Sequence, residues 1–139
     1  MNGRSIDMIN IGDKESFTKT VSEADVYLYA GITGDMNPAH IDEEDAKKGM
    51  FGRRIAHGML TAGFVSAVLG TKLPGKGTIY MGQELSFTKP VYIGDTITAT
   101  VEAVEKIKDK ILKLKTVCTN QNGDVVLDGV ATVMPPRKQ

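Results

Sequence analysis

The segment from Gly58 to Gly70 most constrains what this chain can fold into, because it has the length of a helix and carries apolar residues on every side. Met59, Leu60, Ala62, Phe64, Val65, Ala67, Val68 and Leu69 leave no polar stripe, so a helix here is predicted to be wrapped by other structure rather than laid on a surface. The rest of the chain supplies the wrapping. Past the turn-forming run Leu73-Pro74-Gly75-Lys76-Gly77 the apolar spacing changes from helical to two-residue. Ile97, Ala99, Val101 and Ala103 alternate with Thr96, Thr98, Thr100 and Glu102, and Leu112 and Leu114 alternate with Lys113 and Lys115. This is the repeat of half-buried strands. Asn122-Gly123, ahead of the run Val125 to Val133, is a hairpin signal because both residues tolerate positive φ. Glu15 to Val21 and Thr78 to Phe87 bring the total to about five strands. The expected class is α+β: an antiparallel sheet of about five strands wrapped around one long buried helix, with an edge or face for a second copy of the chain to cover.

Upstream of that helix the signals are short. Ser22-Glu23-Ala24-Asp25 has the form of a capping box and leads into Val26, Tyr27, Leu28 and Tyr29, predicting a short helix that ends near Gly31. Asp42 opens a second one, Glu43 to Lys48, with acids in its first turn and lysines in its last, and Gly49 stops it. Between them, Thr33 to His40 is too rich in Gly, Asn and Pro for regular structure. No repeat, linker or low-complexity stretch divides the 139 residues, so residues 1–139 are expected to form one domain. The tail Pro135 to Gln139 is expected to fray.

Charge and cysteine usage exclude several classes. Lys+Arg and Asp+Glu both number 17, which gives no electrostatic footprint for nucleic acid. One cysteine, Cys118, cannot close an internal disulfide, and Met1 to Asn10 lacks the apolar run of a signal peptide. The longest apolar stretch, Met59 to Leu69, is interrupted by Thr61 and Ser66 and falls short of the roughly 20 residues that span a bilayer. A soluble, cytoplasmic protein is expected, with no membrane and no nucleic-acid partner.

The only two histidines, His40 and His57, both precede the strands. Asp35 and His40 lie in one irregular loop and can converge on one point. A carboxylate and an imidazole sharing a water can take one proton and return another. The same residues also suit a purely structural loop, with Asp35 and Asn37 capping and turning it and His40 a satisfied polar group. Spacing leaves both readings open. Gly58 starts the long helix, where free amides and the positive dipole end can hold a carbonyl oxygen as it gains charge. Gly58 can equally serve only as a tight entry, with His57 packed beside it. Ser66, two turns on, either bonds back to the helix or faces a pocket.

Other chemistries find less support. Asp35, His40 and His57 contain the groups of a two-His, one-carboxylate metal site, but ligand pairs at helical spacing and cysteines are missing from the region, so no metal is expected. Ser66 and Cys118 sit in no nucleophile motif, and Cys118 reads as a small core residue. The loop from Leu73 to Gly77 has no phosphate-binding pattern. Arg53, Arg54, Lys72, Lys76 and Lys89 have the charge to neutralise a diphosphate, or are solvated surface cations.

Tyr29-Ala30-Gly31-Ile32-Thr33-Gly34-Asp35-Met36-Asn37-Pro38-Ala39-His40, with Ala46 six residues later, resembles the signature of the MaoC-like dehydratases, and within them the (R)-specific enoyl-CoA hydratases. Ile55 to Leu60, Leu73 to Tyr80, and Phe87 to Val91 on to Gly94-Asp95 resemble further segments of that family, so the likeness covers nearly the whole chain. The resemblance implies a hot-dog fold, a homodimer, and an acyl-CoA or acyl-carrier-protein thioester as substrate, with no cofactor. It implies that a water between Asp35 and His40 adds to C3 of a trans-2-enoyl thioester, with Asp35 as base and His40 as proton donor to C2. It gives Gly58 the amide that polarises the thioester, Asn37 a supporting role, and Ser66 and Leu69 places in the acyl pocket. Ala39 departs from the pattern, since the family usually has a larger aliphatic residue there. The same fold also hosts thioesterases and acyl-CoA-binding modules without catalysis, which remain the alternatives.

Overall fold

Five antiparallel strands and one long helix build the core. In the computed structural model, which describes residues 2–138, β1 (Lys14–Thr20), β2 (Ile79–Phe87), β3 (Thr96–Ile107), β4 (Ile111–Thr119) and β5 (Val125–Met134) form one sheet in the order β1-β3-β4-β5-β2. The alternation read in the sequence sets the faces. Ile97, Ala99, Val101 and Ala103 of β3 are fully buried, as are Leu112, Leu114 and Cys118 of β4 and Leu127, Ala131 and Val133 of β5. They pack against Leu60, Val65, Val68 and Leu69 of helix α4 (Gly58–Thr71) in a single cluster. This is the hot-dog architecture.

The expected hairpin at Asn122-Gly123 joins β4 to β5, with a different turn geometry. Asn122 does not adopt positive φ; Gly123 does, at 81°, while the Asn120 side chain accepts the amides of Asn122 and Asp124. The mirror-type turn instead joins β3 to β4, where Lys108 and Asp109 have φ of 53° and 52° and the Lys110 amide returns to the Ile107 carbonyl at 3.1 Å. A tight hairpin must match the twist of its strands, and that demand places two non-glycine residues in the left-handed region.

Helix α1 (Glu23–Thr33) opens on the expected capping box, the Ser22 hydroxyl accepting from the Asp25 amide and the Asp25 carboxylate accepting from the Ser22 amide. It runs past Gly31 and stops at Gly34, the residue whose φ of 84° supplies a left-handed cap. The loop after it is not wholly irregular. Asn37 caps a single helical turn, α2 (Pro38–Ile41), through its side-chain oxygen and the Ala39 amide, with Pro38 at the first helical position. Helix α3 (Glu43–Lys47) follows, capped by Asp42.

Helix α4 is covered on one side only. Met59, Gly63, Ser66, Ala67 and Gly70 are exposed, and beside them β2 exposes Ile79, Tyr80, Met81 and Phe87, at 39% to 55% of their surface. The wrapping predicted for this helix is therefore incomplete within one chain. Gly129 lets β2 close onto β5, because a Cβ there would lie 1.8 Å from the Glu84 carbonyl oxygen. The tail is less free than expected. Pro136 packs over Gly77, and Lys138 pairs with Asp109 at 2.8 Å; Gln139 lies outside the described residues. Among those residues no helix is long and apolar enough to cross a membrane.

Candidate active site

A cavity of about 540 Å³ opens where α1, α2 and the start of α4 meet the segment after β2, a size typical of sites for small organic ligands. Asp35, His40, His57 and Gly58 all line it, with Tyr29, Phe51, Ile55, Met59, Phe87 and Val91 as apolar walls. The Ile55–Ala56 stretch is stitched to Val91 and Tyr92, the Ala56 amide donating to the Val91 carbonyl at 2.7 Å. This pairing fixes the entry to α4.

Each polar group is aimed by a specific partner. His40, buried on α2, donates from Nδ1 to the Ile55 carbonyl at 2.7 Å. A carbonyl can only accept, so the hydrogen is on Nδ1 and Nε2 is left for chemistry. Asp35, just past the α1 cap, is exposed, and its carboxylate accepts from the Asn37 amide at 3.3 Å. A carboxylate oxygen of Asp35 and one ring nitrogen from each histidine all lie within 4.8 Å of one another. An Asp35 carboxylate and a His40 nitrogen this close can share one water, since two bonds of about 2.8 Å span up to roughly 5 Å.

His57 precedes α4, with its ring stacked on that of His40 at 3.8 Å between centroids and 30° between planes. Its Nε2 donates to the Asp35 carbonyl at 3.0 Å, and Tyr29 flanks its ring at 4.7 Å. The same three residues have the composition of a metal site. Stacked imidazoles, however, send their in-plane lone pairs side by side rather than toward one point, which suits proton handling better than coordination.

Gly58 occupies the first position of α4, where an amide has no acceptor within the helix. A Cβ at this position would meet the Phe87 ring at 2.8 Å, so glycine lets Phe87 close against the start of the helix. Two buried polar atoms on this wall have no protein partner, His57 Nδ1 and Thr61 Oγ1.

Several expected site residues lie elsewhere. Ser66 faces outward on α4 and Leu69, 1% exposed, belongs to the core; neither lines the cavity, and at 1.5 Å per residue they stand about 12 and 17 Å along the helix from Gly58. Arg54 is no free cation. It bonds Glu43, Tyr27 and Glu23 at 2.7, 2.8 and 2.7 Å, tying α1 to α3. Lys72 donates to the Ser16 carbonyl at the far end of α4, and Lys76 lies in the turn beyond it. Of the five cations only Lys89 lines the cavity, paired with Asp124 at 3.4 Å, while Arg53 stacks over Tyr92 in an adjoining groove shared with Lys89. Tyr29, Phe51, Thr61 and Phe87 were not singled out as site residues. Tyr29 and Phe87 open runs that resemble family segments but were given no role there, and no local pattern marks Phe51 or Thr61, because the four arrive from different elements.

A hot-dog domain with an Asp/His pair at the start of its central helix is the class that fold and site define. The comparisons place the chain within that class. The family described as MaoC like domain matches residues 9–125. An (R)-specific enoyl-CoA hydratase from Rhodospirillum rubrum is 52% identical over 131 residues, covering 94% of this chain and 90% of that protein. A 3-hydroxybutyryl-CoA dehydratase from Methylorubrum extorquens is 47% identical, covering 94% and 83%. The unliganded R-hydratase structure from Pseudomonas aeruginosa superposes with a TM-score of 0.93 at 40% identity, covering 98% of this chain and 88% of that one. The chain belongs to the MaoC-like dehydratase family.

Proposed function

We propose that this chain is an (R)-specific enoyl-CoA hydratase, equally a 3-hydroxyacyl-CoA dehydratase, that adds water reversibly to trans-2-enoyl thioesters. The observation that carries the reading is the convergence of the Asp35 carboxylate and a His40 ring nitrogen to within 4.8 Å, close enough to share one water, beside a free helix amide in an apolar cavity. Asp35 accepts a proton from the water as its oxygen bonds to C3, and His40, which enters this step as the imidazolium with Nδ1–H held by the Ile55 carbonyl and a second proton on Nε2, delivers the Nε2 proton to C2. Proton exchange between the two groups then restores the starting state, and the reverse sequence dehydrates. The Gly58 amide, at the positive end of α4, stabilises the thioester oxygen as it gains charge. Asn37 holds the turn between acid and base, and Lys89 at the cavity wall, with Arg53 beyond it, offers positive charge to an acyl-CoA diphosphate or to an acyl carrier protein.

The exposed face of α4 and the uncovered apolar strand β2 support a homodimer, since a second copy would bury both. A single buried, unpaired thiol suits a cytoplasmic setting. The test is incubation with crotonyl-CoA, following enoyl absorbance and thiol release separately. Loss of enoyl absorbance without thiol supports the hydratase; thiol release alone makes the chain a thioesterase, and binding without either change makes it a binding module. Asp35→Asn and His40→Ala are each expected to lower turnover by about two to four decades with folding retained. Wild-type rates in both variants refute the assignment.

A further inference from the structure

His57 contacts the Asp35 main chain and the His40 ring and directly precedes Gly58, yet nothing in the acid/base scheme uses it. It is 3% exposed, and its neighbours account for that burial. One ring edge bonds the Asp35 main chain, one ring face lies against His40, Tyr29 flanks the ring, and the next residue is Gly58. The partners also set its tautomer. Nε2 meets a carbonyl, which can only accept, so the hydrogen is on Nε2; Nδ1 is buried without a protein partner. His40 has the reverse arrangement, with Nδ1 bonded to the Ile55 carbonyl.

We propose that His57 is a positioning residue that sets Asp35 against His40: its Nε2–H anchors the Asp35 backbone while its ring fixes the plane in which His40 presents Nε2. The proposal rests on the hydratase reading and deepens it. Asp35 follows directly on the α1 cap in an exposed turn, and the carboxylate's own bond to the Asn37 amide is long, at 3.3 Å. Without the Asp35 carbonyl tied down, the carboxylate can move by an ångström or more relative to His40. Misplacement on that scale costs about a hundredfold in rate even when every reacting group is present. His57 touches neither the water nor the substrate carbon in this scheme; it acts through the two residues that do.

The test compares His57→Leu with His57→Gln. Leucine fills the space without a donor, whereas the glutamine Nε2 reaches roughly where the imidazole Nε2 stood. With crotonyl-CoA, His57→Leu is expected to lower kcat by about 30- to 100-fold with KM nearly unchanged, and His57→Gln to recover about tenfold of that loss. Glutamine no better than leucine, or a loss confined to KM, overturns the proposal. Wild type serves as the control: if it does not hydrate crotonyl-CoA, the hydratase reading fails. A second measurement needs neither turnover nor a stable variant. The chain has two histidines, so a long-range 1H–15N spectrum of the wild-type imidazoles assigns both tautomers. For the neutral imidazoles the expected pattern is Nδ1–H at His40 and Nε2–H at His57, whatever the substrate. Nδ1–H at His57 overturns the positioning role.

Discussion

Replacing Gly58 with alanine tests the cavity wall and the helix start together. The added Cβ would lie 2.8 Å from Phe87 Cδ1 and Cε1 and 3.1 Å from Cζ. Carbon contacts settle at about 3.5 to 4.0 Å, so the ring must retreat by roughly 0.7 to 1.2 Å. It has room, because Phe87 is 53% exposed at the end of an edge strand. Overpacking of this kind costs about 1 to 3 kcal/mol, and alanine over glycine in a helix returns up to about 1 kcal/mol. The net loss is then about 0 to 3 kcal/mol, which lowers Tm by up to roughly 12 °C in a domain of this size. Activity should suffer more than stability. Methyl and displaced ring both intrude beside the Gly58 amide, and a carbonyl misplaced from that donor is expected to lower kcat/KM for crotonyl-CoA by about a hundredfold. Thermal unfolding and initial rates on Gly58→Ala, Phe87→Ala and the double variant complete the cycle, with a coupling of about 1 to 2 kcal/mol expected in stability. Strict additivity, or wild-type kinetics in Gly58→Ala, would refute the placement of the α4 amide at the reacting thioester.

Arg54→Met keeps the buried stem but loses the bonds to Glu23, Glu43 and Tyr27. Both carboxylates are about half exposed, so water takes over much of the interaction and urea unfolding should show a loss of only about 1 to 2 kcal/mol; a larger drop would mean that the clasp carries the fold. Cys118 is fully buried, and burial pushes its thiol up to about 12. It is therefore expected to ignore a disulfide reagent in the native chain at pH about 8 and to react completely in denaturant; fast native modification would contradict the packing of β4 on α4. Acid should loosen α1 before the sheet. The Arg54 and Tyr27 hydrogen bonds hold the Glu23 carboxyl below its ordinary range, and Lys19, with the Ser22 amide, does the same for Asp25. Depressed carboxylates stabilise the fold above their unfolded values of about 4 and lose that contribution as pH falls through the lower folded values. Tm measured down a pH series should drop below about pH 4, and less steeply in Asp25→Asn; equal slopes would remove Asp25 as a cause.

Much of this molecule was legible along the chain. Two-residue alternation marked β3 and β4, the Asn122-Gly123 signal placed β5 after them, the capping box marked the start of α1, and the family-like run from Tyr29 to His40 brought Asp35 and His40 forward as a pair. These signals are local, set by neighbours a few residues apart. Where a local signal misled, only the folded backbone decided. The sequence reading ended α1 near Gly31, but the helix runs on to Gly34, the glycine at positive φ. Asn122-Gly123 had the better turn composition, yet the left-handed pair is Lys108-Asp109, because strand twist rather than residue preference decides a tight hairpin.

The site's finer geometry was out of reach for a stronger reason. Ser66 and Leu69 stand beyond the cavity because rise along α4 carries them away from its start, and Arg54 is spent on a clasp whose members come from α1 and α3. Composition established that this chain has two imidazoles and one nearby carboxylate. Which nitrogen each imidazole presents is decided by main-chain carbonyls 15 and 22 residues away in sequence, and a hydrogen-bond direction imposed across such distances exists only once the chain has closed on itself.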